Sequence, residues 1–276
     1  MANAIEVTKD FPASRERAVL LELLNVMKTL KREQIEAVIC GGWVPFLKEL
    51  ARRSQTDHNM SLDIDLLLRA GARKRATIDR IKSLLSGPLD FERSNAASFR
   101  YEKTVDGNVV QLDLLADLSR TQDNEPILKV YGMTTSLDLC LVDGAENLND
   151  HVEAIQINCR EGENVESFEI AVPDATGFLM LKTAVCSYRE KPKDAYDIYY
   201  YYCRYSEESA AIRRMLASSI REPAVARTVE ALKQMFTHQD SKWVDMVLDH
   251  MNITGDDRDR EAQFVIRSIG RVIQGL

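Results

Sequence analysis

Apolar residues recur along this chain with two different periods, and the switch between them divides it. From Ala18 to Leu30 they fall at Val19, Leu20, Leu23, Leu24, Met27 and Leu30. That spacing of three and four predicts a helix with one buried face. Ala37–Cys40 is a short apolar run ending on Gly41-Gly42, which reads as a buried strand and a tight turn. A helix is expected over 44–53, with Pro45 accommodated in its first turn. The polar stretch 55–61 reads as a loop, 62–68 as a strand, and 74–85 as a helix closed by Gly87-Pro88. Phe99–Lys103 and Val109–Leu115 flank Asp106-Gly107, a hairpin signal, so they read as paired strands. Two further strands are expected near 154–159 and 168–172.

Beyond Pro173 the pattern is helical throughout. Segments 174–188, 193–205, 207–220, 224–236, 242–251 and 258–273 all carry helical spacing. Strands mixed with helices, followed by a run of helices, predict an α+β fold: a domain with a mixed sheet over 1–173 and a helical domain over 174–276.

Composition narrows the function classes. With 276 residues and 45% apolar content the chain can bury a sizeable core. The net charge of −7 argues against a protein that coats nucleic acid non-specifically, because that needs clustered Lys and Arg. A local basic groove remains compatible with it. Cys40, Cys140, Cys159, Cys186 and Cys203 are widely spaced, without a C-x-x-C or a nearby His pair. A zinc site or a disulfide framework is therefore not expected, and free thiols fit a reducing cytosol. The first ten residues lack an apolar leader, and no apolar run reaches membrane-spanning length. The expectation is a soluble, cytoplasmic protein with no membrane partner.

The candidate chemistry lies in 62–68, Leu-Asp-Ile-Asp-Leu-Leu-Leu. Strand side chains alternate between faces, so Asp63 and Asp65 point to one side, their α-carbons about 6.6 Å apart. Two carboxylates at that spacing can converge on a divalent cation. Without one, like charges this close raise the pKa of at least one of them. Asp113 stands in a second apolar run, Val109–Leu115. If its strand neighbours that of Asp63, three carboxylates meet at one sheet edge. That donor set suits a hard, oxygen-liganded ion such as Mg²⁺, and a pair of such ions can clamp the attacking and leaving oxygens of a displacement. The bland alternative is that each Asp ends a strand and faces solvent. It fits any one of them better than it fits Asp-x-Asp with a second apolar-flanked Asp.

Gly41-Gly42 between a strand and a helix lets backbone approach a phosphate at a helix N-terminus, although a glycine pair there is also an ordinary sharp turn. The chain contains neither a Walker A loop nor a dinucleotide fingerprint.

The order strand, Gly41-Gly42, helix, loop, Ser61-Leu62-Asp63-Ile64-Asp65 resembles the signature of the polymerase-β nucleotidyltransferase superfamily. Asp113 stands at the place of its third carboxylate. Lys182 to Arg189, followed by Lys193-Asp194-Ala195-Tyr196-Asp197, resembles the helical signature of the AbiEii-type (MenT-like) nucleotidyltransferases, toxin components of bacterial toxin–antitoxin and phage-defence systems. The resemblance covers about residues 37 to 205. It implies a metal-dependent transfer of a nucleotide from an NTP to an acceptor hydroxyl, with a tRNA acceptor and a cognate antitoxin protein as partners. It further implies that Asp63, Asp65 and Asp113 bind Mg²⁺ and act in catalysis. Gly41, Gly42 and Ser61 would contact the triphosphate, Lys182 would neutralise phosphate charge, and Asp194 and Asp197 would orient the site. Trp43 departs from the small polar residue common after the glycines in AbiEii-type chains. Gly-Gly-Trp is also similar to small-molecule nucleotidyltransferases that modify antibiotics, so the acceptor stays open between the two. A degenerate scaffold that binds a partner is a further alternative, against which the three aspartates weigh.

Read from the residues alone, Lys182 and Arg189 are seven apart and share a helix face. Asp194 in a first helical turn is favoured by the helix dipole whatever its function, so both readings stand for it. Tyr196, Tyr199 and Tyr200 form a helical stripe suited to core packing. The run Arg69 to Arg80 reads as a solvated helix face, and would supply phosphate contacts if the acceptor is RNA. His58, His151, His238 and His250 are isolated; His58, in the loop before Asp63, is a weak candidate for contacting substrate.

Overall fold

The structure, a computed structural model, describes residues 4–7, 15–53, 63–69, 74–117, 128–130, 133–135, 138–142, 145, 148–161, 164–204 and 209–276. Ser61, His58, the loop expected over 55–61, Arg73 and residues 205–208 lie outside them. The chain divides into two compact units. One comprises Met1–Val142 with Val152–Pro173, the other Asp143–His151 with Asp174–Leu276.

The first unit is a mixed sheet with three helices among the described residues. Its elements in chain order are β1 (Ala4–Val7), α1 (Arg15–Arg32), β2 (Ala37–Cys40), α2 (Trp43–Arg53), β3 (Asp63–Leu68), α3 (Arg75–Ser86), β4 (Glu92–Arg93), β5 (Arg100–Val105), β6 (Asn108–Asp117), β7 (Leu128–Val130), β8 (Met133–Thr135), β9 (Cys140–Val142), β10 (Val152–Glu161) and β11 (Asn164–Pro173). The strands run in the order β1-β10-β11-β2-β3-β6-β9-β8-β7, with β5 also on β6 and β4 on β5. At ten residues, β6 is long enough to divide one of its edges. Residues 108–113 pair with β5 and Leu115–Asp117 with β9, while the other edge pairs in parallel with β3.

Burial explains the elements. Val19, Leu20, Leu23, Leu24, Val26, Met27 and Leu30 of α1 join Ile39, Ile64, Leu66, Leu68, Leu112 and Leu114 in one core. One sheet face is thus sealed by helices, and the alternation in β3 leaves Asp63 and Asp65 only partly buried, on the other face. The Asp106-Gly107 turn has φ of +49° and +75°, the pair of positive values that a two-residue hairpin turn requires. The expected strands over 154–159 and 168–172 prove to be one long hairpin, β10 and β11.

The second unit contains α4 (Ala175–Cys186), α5 (Pro192–Arg204), α6 (Ser209–Ser219), α7 (Pro223–Phe236), α8 (Lys242–His250) and α9 (Asp257–Ile273). Helix α4 starts where Asp174 accepts a hydrogen bond from the Gly177 amide at 2.8 Å, an N-cap. A 3₁₀ turn, Leu148–Asp150, belongs to this unit. A methyl group on Gly177 would fall 2.5 Å from the His151 carbonyl oxygen and 2.6 Å from Leu148, so glycine lets α4 approach that segment. His151 adds a polar tie, its Nε2 lying 3.0 Å from Glu222 Oε2. Helix α4 ends at Cys186, so Arg189 lies in the turn beyond it, and the expected shared helix face with Lys182 does not exist. Tyr199, Tyr200, Tyr201 and Tyr202 are buried, as core packing requires, and Tyr201 stacks on Phe178 with ring centres 4.6 Å apart. Among the described residues no helix is long and apolar enough to cross a membrane.

Candidate active site

The sheet register builds the candidate site. Cys40 is the partner of Asp65, Asp65 of Asp113, and Asp113 of Arg100. Register partners share a face, so these four side chains form one row across β2, β3, β6 and β5, at about 4.8 Å from strand to strand. A second row, two residues earlier on β3, holds Asp63, Gln111 and Glu102. The three aspartates read from the sequence therefore stand on one face of neighbouring strands, joined by a fourth acid, Glu102, and by a guanidinium.

That guanidinium is the counter-charge that Asp113 binds directly. Arg100 donates Nε to Asp113 Oδ1 and Nη2 to Asp113 Oδ2, both at 2.8 Å, the planar fork that Arg presents to a carboxylate. Asp113 is 5% exposed. Burial pushes its carboxyl above the ordinary range, Arg100 draws it back, and Asp63 and Glu102 push it up again. Arg100 is in turn held more firmly protonated, chiefly by its hydrogen bond to Asp113 and with help from Asp63 and Asp65. On the far side of the row, burial and the neighbouring Asp65 push the Cys40 thiol well up, so it is an inert neutral thiol.

Gly41 fixes Asp65. Its φ is +70°, and a Cβ there would stand 2.1 Å from Asp65 Oδ2. Only glycine allows both the turn and the carboxylate against it. Gly41→Ala is therefore expected to destabilise the protein by about 1–2 kcal/mol through the left-handed backbone. By displacing Asp65 it should also reduce turnover by roughly tenfold or more. Thermal denaturation alongside a rate measurement checks this, and a variant with the wild-type rate would show that the Asp65 position is not critical. Gly42 is buried in the same turn.

As a magnesium site, the face fits in the chemistry of its donors, since Asp63 and Asp65 offer hard anionic oxygens on one partly open surface. Among the described residues, however, no three His, Cys, Asp or Glu side chains close into a metal-holding group. Asp113 gives both its oxygens to Arg100 instead.

In the helical unit, Lys182, Asp194 and Asp197 are brought together. Lys182 Nζ donates to Asp194 Oδ1 at 2.9 Å and to Asp197 Oδ2 at 2.7 Å. Arg189 grips Asp194 through Nε at 2.8 Å and Nη2 at 3.1 Å, and Lys193 reaches Asp197 Oδ1 at 3.0 Å. The three central groups are 7%, 3% and 0% exposed. Burial pulls the Lys182 ammonium down, but Asp197 and Asp194 more than reverse this, and it is held above the usual lysine range. Asp194, although buried, is held below the usual carboxylate range by Lys182 and Arg189.

Residues 37–264 match the sequence profile described as nucleotidyl transferase AbiEii toxin, type IV toxin–antitoxin system. The chain belongs to the AbiEii nucleotidyltransferase family. No curated protein sequence matches it. Similar solved structures include an antigenic nucleotidyltransferase-like protein from Paracoccidioides brasiliensis, at 17% identity over 80% of this chain and 95% of that one, with a TM-score of 0.36. Another is the solution structure of the antibiotic-resistance factor ANT(2'')-Ia, at 11% identity over 76% and 92%, also with a TM-score of 0.36. For this AbiEii-family chain, nucleotidyl transfer is the general chemistry.

Two residues on the AbiEii chain's carboxylate face, Arg100 and Glu102, are absent from the reading of the sequence. The signal was present. A two-residue turn at Asp106-Gly107 pairs Val105 with Asn108, and counting back along both strands sets Arg100 opposite Asp113 and Glu102 opposite Gln111. The basic run after β3 is a solvated face, as expected, with exposed arginines engaged in ion pairs. Arg75 is paired with Asp79 and Asp138, and Arg80 with Glu33.

Proposed function

We propose that this protein transfers a nucleotide from an NTP to an acceptor hydroxyl on RNA, with tRNA as the expected class, in a Mg²⁺-dependent reaction held in check by a cognate antitoxin protein. The hydroxyl oxygen bonds the α-phosphorus, the α–β bridge breaks, and pyrophosphate and the hydroxyl proton leave. One observation carries the proposal: Asp65 and Asp113 are register partners on adjacent parallel strands, with Asp63 two residues away on the same face. Asp63 and Asp65 would hold the ion and Asp113 would complete its shell. Bound there, Mg²⁺ would neutralise the triphosphate and favour the deprotonated acceptor oxygen. The protein's own part is positional. Gly41 keeps Asp65 in place, and the α2 N-terminus beside it offers amides suited to phosphate oxygens. Ser61 is proposed as a further triphosphate contact. In the helical unit, Asp194 and Asp197 are proposed to hold Lys182 charged and so to secure α4 to α5.

The test is incubation of the full chain with each α-labelled NTP, Mg²⁺, and either total tRNA or an aminoglycoside. The proposal expects label in the tRNA with Mg²⁺ and none with chelator. Label in the aminoglycoside alone would replace the RNA acceptor with a small molecule. Label in neither would leave a scaffold that binds a partner. Expression in cells is expected to arrest growth in the wild type and not in Asp63→Ala; arrest by both would refute a toxin role through this site.

A further inference from the structure

The three acids of this face do not stand in the same state. Asp63 and Asp65 are partly exposed, whereas Asp113 is buried and has both oxygens in the Arg100 fork. Arg100 is not a chance neighbour. The hairpin register places it opposite Asp113, and its charge is felt by Asp63 and Asp65 as well. It therefore stands within the carboxylate cluster and offsets one unit of its negative charge before any ion arrives.

We propose that Arg100 is a built-in counter-cation of the carboxylate face, and that it must release at least one Asp113 oxygen before a divalent ion can take all three aspartates. This rests on the metal-dependent reading given above. Two cationic centres cannot share both oxygens of one buried carboxylate without strong mutual repulsion. Binding of the ion is thus an exchange in which Asp113 trades a guanidinium for the metal. Arg100 is then free to turn towards another anion, and the α-, β- or γ-phosphate of the incoming NTP carries the charge it has lost. The exchange makes Arg100 a positioning residue with two consequences. It holds both oxygens of a buried carboxyl and keeps the face intact before substrate arrives, and it weakens binding of the bare ion relative to the ion delivered with its nucleotide. Glu102 lies two residues along β5, in the next row, where Ser94 donates to its Oε1 at 2.8 Å.

The experiment is titration of the full chain with Mn²⁺ alone, by calorimetry, in the wild type, Arg100→Lys and Arg100→Gln. Circular dichroism establishes that each variant is folded. Lysine keeps the charge but loses the planar fork; glutamine keeps a planar donor and loses the charge. The expected order of affinity is Arg100→Gln tightest, Arg100→Lys next and wild type weakest. The step from wild type to Arg100→Gln should be roughly tenfold or more, the effect of deleting one like charge a few ångströms away. Mn²⁺ should also raise the melting temperature of Arg100→Gln more than that of the wild type, because it replaces a missing counter-ion. If Arg100→Gln does not fold, a severalfold gain in Arg100→Lys decides the matter. Mn²⁺ binding equal to the wild type, or weaker, in every folded variant overturns the exchange while leaving the metal reading intact. No Mn²⁺ bound by any form overturns both.

Discussion

Asp65→Ala is expected to lose nucleotidyl transfer by about a thousandfold or more, because charge stabilisation around a transferring phosphoryl group is carried mostly by metal and electrostatics. Asp63→Ala should behave the same way. Neither variant should unfold the protein. Both side chains are only partly buried, and removing one of several acids on a shared face relieves like-charge repulsion. The melting temperature is therefore expected to stay level or rise while the rate collapses. Rates from label transfer, measured beside thermal denaturation, separate the two effects. A variant that keeps the wild-type rate would remove its aspartate from the site. A variant that loses rate and stability together would make the residue structural.

Lys182→Ala is expected to act in the opposite way, through the fold. Its ammonium lies between two carboxylates that are 3% and 0% exposed. Removing one partner of a buried ion network costs about 3–5 kcal/mol, since it strands the remaining charges. Against a total stability of about 5–15 kcal/mol, that brings the helical unit close to unfolding. Combining Lys182→Met with Asp194→Asn and Asp197→Asn removes the stranded charges and should recover a large part of the loss. Chemical denaturation of the single and triple variants checks this, and an undiminished midpoint in Lys182→Ala would show that the network does not secure α4 to α5. The same cluster sets an acid limb. Asp194 has a folded-state pKa below its unfolded value, so its contribution is present above the ordinary carboxylate range. That contribution is lost as pH falls through the lowered value. Asp194→Asn should flatten the fall in stability on acidification.

The legible parts of this fold are those in which a segment buries its own pattern. The α1 stripe, the apolar run of β2, the alternation of β3 and, among the described residues, helices α7, α8 and α9 carry their burial in local spacing. Strands β1, β4, β7, β8 and β9 escaped because they are two to four residues long. Strands that short are held by the neighbours they pair with rather than by any periodicity of their own. The grouping of Asp143–His151 with the helices is likewise invisible to spacing, because it depends on Gly177 giving room to a segment distant in sequence.

At the candidate site the aspartates were readable because charge in an apolar strand is conspicuous. Arg100 was not, because its meaning depends on register. Lys182 shows the converse. The resemblance suggested a phosphate contact, and the structure places the side chain in a buried network. A lysine amid Phe178, Leu179, Met180 and Leu181 needs buried counter-ions, and Asp194 and Asp197 supply them.

The most direct measurement of the central claim is a crystal of the full chain grown with Mn²⁺ and a non-hydrolysable NTP, with anomalous scattering used to locate the metal. The account predicts a peak coordinated by oxygens of Asp63 and Asp65, with Asp113 completing the shell and the triphosphate beside Gly41. Nucleotide bound elsewhere in the protein, or Mn²⁺ absent from the β3–β6 face in the presence of bound nucleotide, would contradict it.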